Sequence, residues 1–240
     1  FPHPGGDVIG ERPIDLFVSA FQALGAAFSE SDDTYTLSAP SGLSGGEFFF
    51  RVVTVTGTEA VMMAATQAKA PVTLKNCALE PEVIATAEYL KLCGARIEGA
   101  GTSTIIIYPS ALTPPANPYR IIPDRIEAAS FLALGALAAT ELTVTGVEPA
   151  HLDSVLNALT YVGVPIRVTK DSITVSAPEK LLPTRLRTHE YPGFATDAHP
   201  PFLILLTQAE GESVMIESIF DGRLKYTDEL VKMGADIKIV

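Results

Sequence analysis

IEAASFLALGALAATELTVTG, residues 126–146, has an acid at its second position, runs through an apolar stretch from Ala128 to Ala139, and ends in a β-branched segment closed by glycine. The apolar run is too short for a bilayer, which takes about 20 residues, so it reads as a buried helix leading into a strand. The same order recurs in TEAVMMAATQAKAPVTLKN (58–76) and TDAHPPFLILLTQAEGESVMIES (196–218). The leading acids Glu59, Glu127 and Asp197 lie 68 and 70 residues apart. Self-similarity at a fixed period is the mark of a repeated supersecondary unit. Each unit continues into a further stretch, 80–99, 151–170 and 224–240, that opens with a second helix. That helix ends at Gly94, Gly163 or Gly234, and an earlier half-unit, RPIDLFVSAFQALGAAFSESDDTYTLSAP (12–40), has its own at Gly25. The four glycines are spaced 69, 69 and 71 apart and sit where a helix C-terminus takes a residue with positive φ. STIIIYP (103–109) and SITVSAP (172–178) lie among the two further strands that close each unit. FFFRVVTV (48–55) and YRIIP (119–123) supply the strand ahead of it, so the unit reads βαβαββ, an α/β arrangement of mixed α+β character. Helices this apolar belong inside, with sheets packed around them.

The bulk composition narrows the function. A net charge of −11 argues against nucleic acid, whose phosphates need a basic surface. It does not exclude small anions, which need only a few local cations or backbone N–H groups. Cys77 and Cys93 form no metal or redox spacing and read as reduced cytosolic thiols. No signal peptide and no membrane span is visible, so the expected location is cytoplasmic. The chain begins at Phe1 inside a glycine-rich loop, starts midway through one unit and ends a strand short in another, as an excised or truncated polypeptide would. The loop at Pro114-Pro115 is the expected boundary between two halves.

Six local motifs carry a family resemblance. They are PGGDVIGERPIDL (4–16), VTVTGTEAVMMAA (53–65), EPEV (80–83), IIPDRIEAASFL (121–132), YPGFATDAHPPF (191–202) and IFDGR (219–223). In order and spacing the chain resembles the enolpyruvyl transferases along its whole length. The resemblance implies an inside-out α/β barrel of βαβαββ units with buried helices, in two similar domains flanking an active-site cleft. Residues 1–123 would be the second part of one domain and 124–240 the first part of the other. It also implies transfer of the enolpyruvyl group of phosphoenolpyruvate to the 3-hydroxyl of UDP-N-acetylglucosamine, releasing phosphate, in cell-wall precursor synthesis. The implied partners are those two small molecules, with no nucleic acid and no membrane; no metal and no cofactor is called for.

Asp7 stands where many family members carry the cysteine that fosfomycin attacks. Read from the residues alone, it is an acid in a solvated Pro-Gly turn, whereas the resemblance implies a general acid for the enol methylene carbon. A carboxylate is a far poorer nucleophile toward an epoxide than a thiolate, so the resemblance implies insensitivity to fosfomycin. Arg12 is either an exposed arginine ahead of Pro13 or a forked donor for lid and sugar nucleotide. Pro13, Ile14, Asp15 and Leu16 match positions that hold the uracil ring, although Phe17 replaces a frequent histidine. Thr54, Val55 and Thr56 are either ordinary strand and cap residues or diphosphate holders at a helix N-terminus. A lysine that some members place just ahead of them is absent, and Arg51 and Val52 stand there. Asp197 is either the N-cap of the third unit or the base that takes the sugar hydroxyl proton. Glu80 and Asp124 match supporting acids bordering the cleft, Ile219 and Phe220 match contacts to the sugar, and His199 reads as a loop histidine.

The family's phosphoenolpyruvate site draws a lysine and arginines from segments absent here, so the isolated chain is expected to be incomplete for catalysis. Two alternatives stand beside the main reading: a sister enzyme acting on shikimate 3-phosphate, and a non-catalytic paralogue or fragment that binds a sugar nucleotide. The PGGD loop with the following RPIDL favours the nucleotide-sugar branch. Phe17 and the missing lysine favour the binding paralogue.

Overall fold

The computed structural model describes residues 1–2, 5, 14–32 and 34–240. The described residues form two compact units, one running to Ile121 and one from Ile122.

In the first unit, α1 (Asp15–Ala23) leads into an antiparallel hairpin of β1 (Ala27–Glu30) and β2 (Tyr35–Ser38). There follow β3 (Gly46–Phe49), α2 (Val55–Ala65), β4 (Val72–Lys75), α3 (Pro81–Leu92), β5 (Arg96–Glu98) and β6 (Thr104–Tyr108). Those four strands form one sheet in the order β3-β4-β6-β5, with β3 and β4 parallel and the other pairs antiparallel. A parallel pair needs a crossover, and α2 supplies it. Strand β4 alternates buried Val72 and Leu74 with half-buried Thr73 and Lys75, as a strand with one face on a core must. Val61, Met62 and Ala65 of α2 and Ile105 and Ile107 of β6 complete a core with no solvent exposure.

In the second unit, α4 (Arg125–Ala138) is followed by β7 (Glu141–Thr145), α5 (Asp153–Tyr161), β8 (Ile166–Val168) and β9 (Ser172–Ser176). The three strands form an antiparallel sheet in the order β7-β9-β8. Then come β10 (Arg185–Arg187), a 3₁₀ turn (Thr196–Ala198), α6 (His199–Leu206), β11 (Val214–Ile216), a second 3₁₀ turn (Arg223–Tyr226) and α7 (Thr227–Lys232). Strands β10 and β11 pair in parallel.

Helix ends follow from local chemistry. The Asp124 carboxylate accepts from the N–H groups of Ile126 (2.8 Å) and Glu127 (3.0 Å), capping α4. At the other end of α3, Gly94 turns to φ 100°, its N–H reaches the Lys91 carbonyl, and Ala95 N–H reaches back to Leu90. The same pair of bonds closes the helices at Gly25, Gly163 and Gly234, which also hold positive φ. This is the glycine C-cap in which two orphan carbonyls are satisfied at once.

Three expectations are corrected. Tyr119–Pro123 forms no strand, and Ile121 is 80% exposed. Pro118 and Pro123 lack N–H donors, so a ladder through this segment would lose bonds at both ends. The strand within 48–55 is also shorter than expected: β3 ends at Phe49, and Thr54 already caps α2. Helix α4 is buried on one face only. Ala128, Ala129, Leu132, Ala133 and Ala136 are covered, whereas Phe131 and Leu134 are about half exposed.

Helix α4 lies close against β7 and β9 because its inner face is nearly all Ala and Gly. A Cβ added at Gly135 would stand 2.8 Å from Leu142 Cβ and 2.9 Å from Val175 Cγ2. Gly135→Val therefore lowers the unfolding free energy by about 1–3 kcal/mol, measured by chemical denaturation followed by circular dichroism. Unchanged stability would contradict the close packing.

Candidate functional site

Asp7, Arg12 and Pro13 lie outside the described residues. The remaining candidates fall into a set within each unit.

In the first unit, Ile14 precedes α1 and its carbonyl accepts from Val18 N–H at 3.0 Å. Asp15 is the first residue of α1 and its Oδ2 accepts a hydrogen bond from Arg51 Nη2, so the arginine that stands with Val52 where the lysine is missing is engaged by the proposed uracil ligand. Leu16 is half-buried in the first turn of α1, while Phe17 lines an apolar hollow of about 250 Å³ with Phe1, Ile14, Val18, Phe21 and Leu37. An aromatic ring in that position extends apolar surface where a histidine would have offered a polar tip.

Thr54 caps α2: its hydroxyl accepts from Gly57 N–H at 3.2 Å, and its carbonyl accepts from the Thr58 hydroxyl at 2.6 Å. The Thr58 hydroxyl in turn accepts from Ala78 N–H at 3.2 Å, tying the helix start to the loop after β4. Val55 and Thr56 begin the helix; the Thr54 cap takes the Gly57 N–H, and a first-turn N–H without an intrahelical acceptor is where an anion can bind. Glu80 is 7% exposed at the start of α3. Nearby Glu59 accepts a bond from the Thr86 hydroxyl at 3.0 Å. Burial lifts the Glu59 carboxyl above its ordinary range; the Thr86 bond opposes this, and the charges of Glu82 and Glu80 add to it. Burial likewise pushes the Cys77 thiol up to about 11, which leaves it protonated at neutral pH.

In the second unit, Asp197 sits in the 3₁₀ turn between β10 and α6, with its side chain 58% exposed. Arg223 Nη2 donates to Asp197 Oδ1 at 2.6 Å, and the Arg223 side chain is only 9% exposed. A buried guanidinium beside a half-open carboxylate holds that carboxylate in one orientation and presents fixed positive charge next to it. Arg223 closes the IFDGR motif, and its role becomes visible only when the chain is folded. Asp124, the other supporting acid, is the cap of α4. The N–H groups of Ile219 and Phe220 both donate to Glu217 Oε1, at 2.7 and 3.0 Å, so any backbone contact from Ile219 to a ligand runs through its carbonyl.

His199 is not in a loop. It is the first residue of α6, wholly buried, with Nδ1 2.8 Å from the Tyr226 hydroxyl. Nε2 has no hydrogen-bond partner among the described residues. Burial lowers its pKa from 6.5; the charge of Glu217 works against that and Arg223 adds to it. Burial also raises the Tyr226 phenol, which keeps its proton. Among the described residues no group of His, Cys, Asp and Glu is placed to hold a metal ion, and no helix is long and apolar enough to cross a membrane.

Comparison with known proteins follows the same lines. The family model for EPSP synthase (3-phosphoshikimate 1-carboxyvinyltransferase) matches residues 3–240. The chain is 44% identical over 236 residues to the UDP-N-acetylglucosamine 1-carboxyvinyltransferase of Koribacter versatilis, covering 98% of this chain and 54% of the relative. It is 41% identical over 236 residues to the protein of that name from Desulforapulum autotrophicum, covering 98% and 56%. The chain thus spans about half the length of the curated relatives it matches. Among solved structures, the enolpyruvyl transferase NikO from Streptomyces tendae shares the fold with a TM-score of 0.86 at 22% identity, covering 96% of this chain and 57% of that one. An EPSP synthase from Acinetobacter baumannii shares it with a TM-score of 0.66 at 16% identity, covering 93% and 54%.

The buried histidine makes stability depend on pH. Its folded pKa lies below the unfolded value, so the unfolded chain binds the proton first as pH falls. The stabilisation is present above about 6.5 and is lost below it, at no more than about 1.4 kcal/mol per pH unit. His199→Asn keeps a group able to pair with Tyr226 and removes the titration, so its stability falls less steeply between about pH 7 and about pH 5 in denaturation midpoints. Equal slopes for the two proteins would contradict the assignment.

Proposed function

This chain belongs to the EPSP synthase family of enolpyruvyl transferases, and from that premise we propose that it is part of an enzyme moving enolpyruvyl from phosphoenolpyruvate to the 3-hydroxyl of UDP-N-acetylglucosamine. The observation that carries the reading is the identity to the named carboxyvinyltransferases along 98% of the chain. It favours the nucleotide sugar over shikimate 3-phosphate as the acceptor, and an enzyme over a binding paralogue. The two units are then consecutive parts of two family domains, 1–123 and 124–240, built from βαβαββ repeats in the inside-out barrel. The order β3-α2-β4-α3-β5-β6 over 46–108 and the four glycine caps spaced 69, 69 and 71 apart support that repeat. Phosphoenolpyruvate and UDP-N-acetylglucosamine are the partners, and the setting is cytoplasmic peptidoglycan synthesis.

Asp197 is the base. It takes the proton of the sugar 3-hydroxyl as that oxygen attacks C2 of phosphoenolpyruvate, while Asp7 gives a proton to C3. The tetrahedral adduct then loses a proton from C3 and breaks its C2–O bond to phosphate, restoring the double bond and releasing inorganic phosphate. The Arg223 pair keeps Asp197 aimed during the first step, because a positioned base works only within hydrogen-bond reach. Arg12, Pro13, Ile14, Asp15 and Leu16 hold the uridine end, with Arg51 fixing Asp15. Thr54, Val55 and Thr56 offer the first-turn N–H groups of α2 to the diphosphate. Ile219 contacts the sugar through its carbonyl, and Glu80 and Asp124 support the loops around the site.

The test is phosphate release from phosphoenolpyruvate and UDP-N-acetylglucosamine by the full natural chain. Asp197→Asn keeps the shape and removes the base, so kcat falls by about 100-fold to 10,000-fold. Asp7→Cys turns an enzyme that survives fosfomycin into one that it inactivates with time, because a thiolate opens the epoxide. Full activity in Asp197→Asn, or fosfomycin inactivation of the protein with Asp7 in place, would overturn these roles.

A further inference from the structure

Glu217 follows β11 directly and collects four hydrogen bonds. Its Oε1 accepts from the Thr188 hydroxyl (3.0 Å), Ile219 N–H (2.7 Å) and Phe220 N–H (3.0 Å), and its Oε2 accepts from the Thr196 hydroxyl (2.8 Å). The donors come from three segments: the exit of β10, the turn that carries Asp197, and the turn that leads to Arg223. Thr196 immediately precedes Asp197, and Arg223 lies three residues beyond Phe220. Both halves of the Asp197–Arg223 pair are therefore anchored on one carboxylate. Bonds to an ionised acceptor are roughly twice as strong as neutral ones, and four on one side chain leave it little freedom.

We infer that Glu217 is a positioning residue for the transfer, holding the Asp197 turn and the Ile219 turn in register so that base and sugar contact meet the same substrate. The inference rests on the reading of Asp197 as the base. Glu217 does not hold the strand ends together by itself. Thr188 N–H donates to the Ile216 carbonyl at 2.9 Å, Ser218 N–H donates to the Thr188 hydroxyl at 2.9 Å, and the Ser218 hydroxyl donates to the Thr188 carbonyl. Loss of the carboxylate leaves that zipper closed and releases Thr196. Geometry then carries the cost, since a displacement of about 1 Å at a reacting group loses about 100-fold in rate.

The experiment measures kcat and both KM values in the full natural chain for wild type, Glu217→Ala, Glu217→Gln and Thr196→Val. Glu217→Ala lowers kcat by about 100-fold with the KM for UDP-N-acetylglucosamine within about threefold. Glu217→Gln keeps the oxygen for both amides and offers its NH₂ to a Thr196 hydroxyl turned to accept, so kcat returns to within about fivefold of wild type. Thr196→Val, which is isosteric and cuts only the bond to the Asp197 turn, lowers kcat about tenfold and decides the matter should Glu217→Ala not fold. The inference is overturned if Thr196→Val and any folded Glu217→Ala turn over within about twofold of wild type, if the losses fall in KM alone, or if Glu217→Gln is as impaired as Glu217→Ala. No turnover by the wild type instead overturns the transferase reading, which separates the two failures.

Discussion

Two parallel strands that end side by side bring Asp197 and Arg223 of the second unit together. Strands β10 and β11 run in register from Arg185 opposite Val214 to Arg187 opposite Ile216, and then both chains leave the sheet. A parallel pair places its carboxyl ends at one edge, and in α/β structures that edge is where ligands are met. One exit leads through the Thr196–Ala198 turn into α6, the other through Glu217 to Arg223. Asp197 and Arg223 are 26 residues apart in sequence and come together because their strands finish together. Backbone groups freed where the ladder stops need partners, and Thr188, Glu217 and Ser218 provide them. The same side chains that complete the ladder therefore fix the Asp197–Arg223 pair.

The first unit repeats the geometry with different chemistry. Strands β3 and β4 are also parallel, and beyond their ends Phe50 N–H donates to the Lys75 carbonyl while Asn76 reaches the Phe50 carbonyl at 2.9 Å. Asn76 holds φ at 58°, a left-handed turn that asparagine tolerates better than most residues. Here the ladder's end delivers Arg51 to Asp15 and the N-terminus of α2 to the surface, where the other unit offers an aspartate and a buried guanidinium. One edge thus presents N–H groups suited to phosphate, and the other an oriented carboxylate suited to a hydroxyl.

Much of the secondary structure was legible because it rests on local rules. Gly25, Gly94, Gly163 and Gly234 could be placed from spacing, since few other residues take a positive φ at a helix end cheaply. Strands β4, β7 and β11 announced themselves by β-branched runs beside those helices. Tyr119–Pro123 misled because its apolar residues look like a strand while Pro118 and Pro123 withhold the ladder's donors. The two readings of Thr54, as cap and as diphosphate contact, were also readable, since both roles take the same residue type at a helix start; that Asp124 caps α4 was not. The interactions that depend on tertiary structure were not. His199 follows a Gly-Phe-Ala turn and precedes two prolines, the pattern of a loop, yet the turn feeds α6 and buries the ring beside Tyr226. Nothing in the order of residues pairs Glu217 with Thr196, because the strand ends alone bring them together.

The proposed transfer of enolpyruvyl to a nucleotide sugar is decided by the identity of the product. Phosphoenolpyruvate labelled at C2 would be incubated with the full natural protein in the presence of both UDP-N-acetylglucosamine and shikimate 3-phosphate, and the labelled carbon followed by NMR. The expected result is label in a vinyl ether on the 3-oxygen of the amino sugar, with inorganic phosphate released in equal amount. Label joined to shikimate 3-phosphate, or remaining wholly in phosphoenolpyruvate, would contradict it.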